Sequence, residues 1–249
     1  MNRFALTASA ILMLSTTACL DATRGMGELG NIRYSLYTEY DPGTGEITDT
    51  PILVNHAQDI YLDLSDRGER AAGDLSTVRH TVSPSDGVTL DYSADDDGLN
   101  RLEITVTDPG EYTLSSEVEG DLLDTITLEF DAPAELDAVT WIRSPDTEEF
   151  EEPAAVQPAV DEGAQVTFVG IPLDADGERI AGRFEVEISA DPEGAVVDAY
   201  DIWETHEDHV YGGTSEASVY FIEPGAITLT VSDEANGVDF AQTFDVSAW

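Results

Sequence analysis

The chain has 249 residues, with ten arginines, no lysine and fifty-two acidic residues, so its formal net charge is −42. That balance excludes nucleic acid, whose phosphates would be repelled, and docking on anionic lipid through protein charge. Apolar residues make up 41% of the chain, enough to build cores, and the length allows one large or two modest domains.

Residues 1–18 combine Arg3, an apolar run from Phe4 to Leu14 and the small residues Ser15-Thr16-Thr17-Ala18. A positive start, a short apolar centre and small residues before a cut describe an export signal peptide. The run is too short for a membrane span, which needs about 20 apolar residues. Cys19 follows and is the sole cysteine, so no internal disulfide can form. The placement resembles the lipobox of bacterial lipoproteins, with Thr16 where that family usually has Leu. The resemblance implies acylation of Cys19 and attachment to a lipid membrane. Leu20 after the cysteine implies, by analogy with Gram-negative sorting, the outer membrane. Ordinary cleavage after Ala18 would instead leave a free thiol. Residues 19–29 read as a lipidated tether, with two glycines and no clear period.

The rest of the chain repeats itself. Gly68-Glu69-Arg70-Ala71-Ala72-Gly73 returns as Gly177-Glu178-Arg179-Ile180-Ala181-Gly182. Gly87-Val88-Thr89-Leu90-Asp91-Tyr92 is echoed from Gly194 to Tyr200, and Asp108-Pro109-Gly110-Glu111-Tyr112-Thr113-Leu114 by Glu223-Pro224-Gly225-Ala226-Ile227-Thr228-Leu229. Three matches in the same order indicate a tandem duplication, with units at 30–132 and 133–249 and a Pro-bearing joint near Asp131-Ala132-Pro133-Ala134.

Inside each unit the apolar period is two. Leu102–Val106, Ile126–Phe130, Phe184–Ile188, Ala217–Phe221 and Phe244–Val246 all alternate, which places one face on a core and one in water. Helical stripes are absent from the pattern, and Pro, Gly and Asp clusters interrupt the strands at short intervals. The expectation is an all-β chain: two tandem antiparallel β-sandwiches after an N-terminal signal peptide.

Each unit resembles a bacterial immunoglobulin-like (Ig-like) domain. The resemblance rests on an apolar strand before an Asp/Gly-Glu-Arg turn (Ile60–Leu64 before Asp66; Val166–Leu173 before Asp174), the alternating strand after it, and the Pro-Gly-x-Tyr/Ile-Thr-Leu segment. It implies a tyrosine corner at Tyr112, with Ile227 replacing it in the second unit.

Asp95 and Asp97, and Asp174 and Asp176, lie in stretches that resemble calcium loops in part, but without flanking helices the plainer reading of each is a solvated hairpin turn. His206 and His209 are three apart, on opposite faces if they sit on a strand, and converge only on a tight loop. Trp203, with Tyr200 and Tyr211, could line a sugar- or peptide-binding patch. Glu148 to Pro158 reads as a long acidic connection between the first two strands of the second unit. A Gly-x-Ser-x-Gly elbow, a His-Glu-x-x-His pair and a glycine-rich phosphate loop are all missing. The sequence therefore points to a non-catalytic, exported envelope module that binds, adheres or spaces, with calcium as the one candidate cofactor and an envelope protein or glycan as partner. The alternatives are a calcium- or carbohydrate-binding protein, or an envelope hydrolase with an unrecognised site. The acid excess and all-Arg usage also fit life in salt.

Overall fold

The computed structural model describes residues 22–37, 47, 49–66, 69–70, 75, 77–94, 100–146, 157–199 and 216–248. These residues form strands and turns without a helix, as the period-two pattern requires. The first unit contains β1 (Ala22–Met26), β2 (Ile32–Tyr37), β3 (Ile52–Leu53), β4 (Gln58–Asp66), β5 (Glu69–Arg70), β6 (Arg79–Ser83), β7 (Val88–Ala94), β8 (Asn100–Val106), β9 (Gly110–Val118) and β10 (Asp121–Asp131). The second contains β11 (Glu135–Arg143), β12 (Ala159–Asp161), β13 (Gln165–Leu173), β14 (Glu187–Asp191), β15 (Val196–Asp198), β16 (Glu216–Phe221), β17 (Gly225–Asp233) and β18 (Val238–Ser247).

Four sheets result. Sheet I runs β1-β2-β4-β8-β7, with β5 on β4, and sheet II runs β3-β10-β9-β6. Sheet III runs β11-β13-β16-β15, and sheet IV runs β12-β18-β17-β14. Strand for strand, β2-β4-β8-β7 corresponds to sheet III and sheet II to sheet IV. In both units a short strand, β3 or β12, lies parallel to the last one while the other pairs are antiparallel. The chain is two tandem Ig-like β-sandwiches.

Each sandwich has its own core. Ile60, Leu62, Leu102, Ile104, Leu114 and Leu128 belong to the first; Val166, Phe168, Val219, Phe221, Leu229 and Phe244 belong to the second. In both cores it is the alternate residues of the strands that point inward. The tyrosine corner is present: the Tyr112 hydroxyl donates to the Asp108 carbonyl at 2.8 Å, while Ile227 in the second unit is simply buried.

Two local expectations change. The stretch 19–29 is not a free tether throughout, because Ala22–Met26 pairs with β2 along its whole length. The turn after it is fixed by Asp124, a fully buried carboxylate that accepts from the amides of Leu29, Asn31, Ile32 and Thr125 at 2.6–2.9 Å. Three charge-assisted bonds to the turn from one distant side chain are a signal that no local pattern in 20–29 carries. The alternation from Phe184 to Ile188 is real, but pairing starts only at Glu187. Phe184 is instead packed beneath Gly170, where any Cβ would meet its ring at 2.5 Å.

Candidate functional site

The most elaborate constellation among the described residues lies where the sandwiches meet. The segment after β3 and the hairpin after β13 are interlocked. Ile52 bridges Ala181 in parallel; the Leu53 amide donates to the Ala181 carbonyl at 2.9 Å, and the Ala181 amide to the Pro51 carbonyl at 2.8 Å. The side chains cross over as well: Leu53 belongs to the second core and Ala181 to the first.

Around this plug sits a polar lattice. Gln58 is fully buried and reads the backbone of one residue of the other sandwich: its Oε1 accepts from Arg183 N at 2.8 Å and its Nε2 donates to Arg183 O at 2.9 Å. Gly182 lies directly over it at φ +136°, and a Cβ there would stand 2.7 Å from Gln58 Oε1. Only glycine fits both the conformation and the space. The buried Asp59 carboxylate receives Arg101 Nε at 2.5 Å and the Arg183 guanidinium from across the joint.

On the other flank His56 Nε2 donates to Asp233 Oδ1 at 2.9 Å. Asn236 Nδ2 donates to Asp233 Oδ2 at 2.8 Å, and Asn55 Nδ2 donates to Asn236 Oδ1 at 2.9 Å. Asp233 has no exposure. Burial alone pushes its carboxyl up, but the bonds from His56 and Asn236 outweigh that and hold it below the usual carboxylate range. The His56 ring also lies against Phe184, with centroids 5.9 Å apart.

The turn flagged for calcium has a mechanical part here. Asp174 Oδ1 accepts from the amides of Asp176 and Glu178 at 2.8 and 2.9 Å, and Asp174 N donates to Glu178 O. This Asx-type turn closes the hairpin that carries Ala181 and Arg183 to the first sandwich. Asp176 is exposed at its tip. Among the described residues no group of three or more His, Cys, Asp or Glu side chains could hold a metal ion. Cys19, Asp95, Asp97, Tyr200, Trp203, His206, His209 and Tyr211 lie outside the described residues. His80 packs on Tyr92 and shares a 2.9 Å hydrogen bond with Ser116, and burial lowers its pKa.

A second feature is the outer face of sheet III. Register places Arg143, Gln165, Tyr220 and Val197 in one row across four strands, and Trp141, Thr167 and Ser218 in the next. These rows hold no carboxylate in a chain where acids outnumber bases five to one. Arg143 Nη2 donates to the Tyr220 hydroxyl at 3.1 Å, which donates to Gln165 Oε1 at 3.2 Å. The Thr167 and Ser218 hydroxyls are 2.7 Å apart. Trp141 and Val197 stay 38% and 39% exposed.

No protein-family model matches the sequence, and no curated protein is similar to it. Among solved structures, FdeC, an Escherichia coli adhesin, is 15% identical, with 80% of this chain and 61% of the FdeC chain covered and a TM-score of 0.29. Domains 5–6 of the S-layer protein SbsC are 15% identical over 80% of this chain and 94% of that one, with a TM-score of 0.33. Invasin, a bacterial integrin-binding protein, is 16% identical over 90% of this chain and 41% of its own, with a TM-score of 0.30.

The joint escaped the sequence reading because its members, His56, Gln58, Asp59, Arg183, Asp233 and Asn236, are scattered over nearly 180 positions and form no motif. One signal was available: Gln58 opens a strand whose inward positions are otherwise apolar, and a glutamine facing a core needs partners.

Proposed function

We propose that this chain is a non-catalytic module of the cell envelope, exported by residues 1–18 and anchored through acylated Cys19, that presents two Ig-like sandwiches as one stiff body for binding or spacing. The reading is supported by one observation above all. Each core includes a residue from the other sandwich, so bending at the joint would pull Leu53 and Ala181 out of apolar surroundings. A flexible pair of beads needs no such plug. A stiff pair holds a binding surface at a fixed distance and angle, which is what a spacer or adhesive module requires.

The class and address are tested together. Membrane fractions from cells expressing the full chain should retain it, and Cys19→Ser should release it to the soluble fraction. Small-angle scattering on residues 20–249 should fit one rigid shape at all salt concentrations. A broad distribution of shapes would reject the stiff-module reading.

The carboxylate-free rows on sheet III favour a second reading, in which that face takes a neutral glycan on Trp141 and Tyr220. Ring faces stack on sugars, and the half-buried Ser218 and Tyr220 hydroxyls and the Arg143 guanidinium supply hydrogen bonds. A glycan array probed with residues 20–249 and with Trp141→Ala tests it: binding that survives the substitution places the site elsewhere.

A further inference from the structure

We propose that the lipid surface meets the molecule at mid-length, along the β1 edge of sheet I, so that the two sandwiches lie side-on to the membrane. The proposal rests on the Cys19 anchor and adds its geometry. Strand β1 runs away from the joint: Met26 pairs with Arg33 at the far end of the sheet, while Ala22 pairs with Tyr37 at the near end. Leu36, beside Tyr37, pairs with Ile60, and two residues before Ile60 stands Gln58, which grips Arg183 of the second sandwich. Ala22 therefore lies about two strand spacings, or about 10 Å, from the joint.

The chain from Cys19 to Ala22 is three residue steps, with a reach of about 11 Å at full extension. The strands of each sandwich run from the joint to a far end of their own. The distal turn of the first follows Met26, and the far end of the second holds Arg143 and Gln165, nine residues along β11 and β13 from the joint. Neither end can point at the bilayer when the anchor leaves from the middle on so short a leash.

Charge agrees with this placement. The outer face of sheet I carries Arg33 opposite Asp63, and Arg101 with Arg183 over Asp59 and Glu103. Three of the nine arginines that remain after residue 18 gather here. The outer face of sheet IV carries Glu187, Asp191, Asp239 and Asp245 and no arginine. With Asp91 beside Glu103 on the same face, three arginines there meet four acids, and so mixed a face tolerates proximity to lipid headgroups, whereas the acidic face is repelled by any anionic lipid.

The test couples the mature chain, residues 19–249, through its single thiol to a maleimide phospholipid in a supported phosphatidylcholine bilayer. Neutron reflectometry then reads the thickness of the protein layer. Two sandwiches of nine-residue strands, each about 30 Å long, make an upright layer about 60 Å thick, whereas a side-on layer has the width of five strands with their side chains, about 30 Å. The expected result is the thin layer, thickening when a 20-residue Gly/Ser segment is inserted between Leu20 and Asp21. A layer of about 60 Å at native spacing overturns the proposal. Chemical coupling makes this readout independent of acylation in the cell, and retention of Cys19→Ser in envelope fractions would overturn the anchor reading separately.

Discussion

The same position of the fold has opposite fates in the two sandwiches. In the first, Ile52 and Leu53 pair with Phe130 and Asp131; in the second, Val160 and Asp161 pair with Val246 and Ser247. The chain then leaves in the same way. Val54 N donates to Asp131 O and Glu162 N to Ser247 O; Asn55 N donates to Val106 O and Gly163 N to Phe221 O. Asn55 and Gly163 even share a positive φ, 65° and 89°. The frame is duplicated, but the side chains are not. Leu53 enters a neighbouring core, while its counterpart Asp161 is exposed. Val54, whose carbonyl accepts from Asn236 Nδ2 at 3.3 Å, is matched by Glu162 in the second unit. The backbone of an Ig-like unit offers a docking end by default, and side chains decide whether anything docks there. Asp161 and Glu162 close that end off.

The largest expected effect comes from writing the second unit's residue into the first. Leu53→Asp would bury an unpaired carboxylate in the second core and cost more than about 3 kcal/mol. Calorimetry should then show two separate transitions where the wild type gives one. The reverse change, Asp161→Leu, should leave stability within about 0.5 kcal/mol but promote self-association at high concentration, read by sedimentation.

Asp233→Ala should come next, at about 3 kcal/mol, because His56 and Asn236 lose a buried acceptor. The same residue sets an acid response. Its folded pKa lies below the ordinary carboxylate value. Its pairing therefore adds stability that is fully present above that value and is lost as pH falls through the lower folded value. Acid melts followed below pH 4 should show the joint loosening in the wild type, with that component missing in Asp233→Asn.

Gly182→Ala should cost about 1–3 kcal/mol, since its methyl would meet Gln58 in a conformation that alanine disfavours. Gly177→Ala, where nothing lies within 4 Å, isolates the conformational part. Salt should act more gently and on the whole molecule. At −42 the folded chain repels itself, and Glu234 beside Glu187 already pushes that carboxyl above its ordinary range. The melting temperature of residues 20–249 should rise by several degrees from 10 mM buffer to molar NaCl. The smallest effect is Tyr112→Phe, about 1 kcal/mol by denaturant titration, for a corner that the second unit does without.

What could be read in advance follows from how locally each feature is encoded. Alternation such as Leu102-Glu103-Ile104-Thr105-Val106 states a strand and its buried face within five residues, and the recurrence of Gly-Glu-Arg states the duplication. The role of Asp124 could not be read that way, because its four donors lie at the adjacent Thr125 and some 90 residues upstream. Nor could the joint: His56 and Asp233 are 177 residues apart and unremarkable singly. The Asp174 turn was visible as an acidic Gly-bearing loop, but whether its oxygens faced an ion or their own amides depends on backbone conformation, which composition does not carry.

The crossing of Leu53 and Ala181 has a consequence for descent. Bead-like repeats are shuffled between genes because each one is self-sufficient. Here a recombination break near Pro133 would export a sandwich carrying an orphaned leucine and leave behind another missing it. The heritable building block is the pair, so kinship should be sought among chains that preserve both halves together.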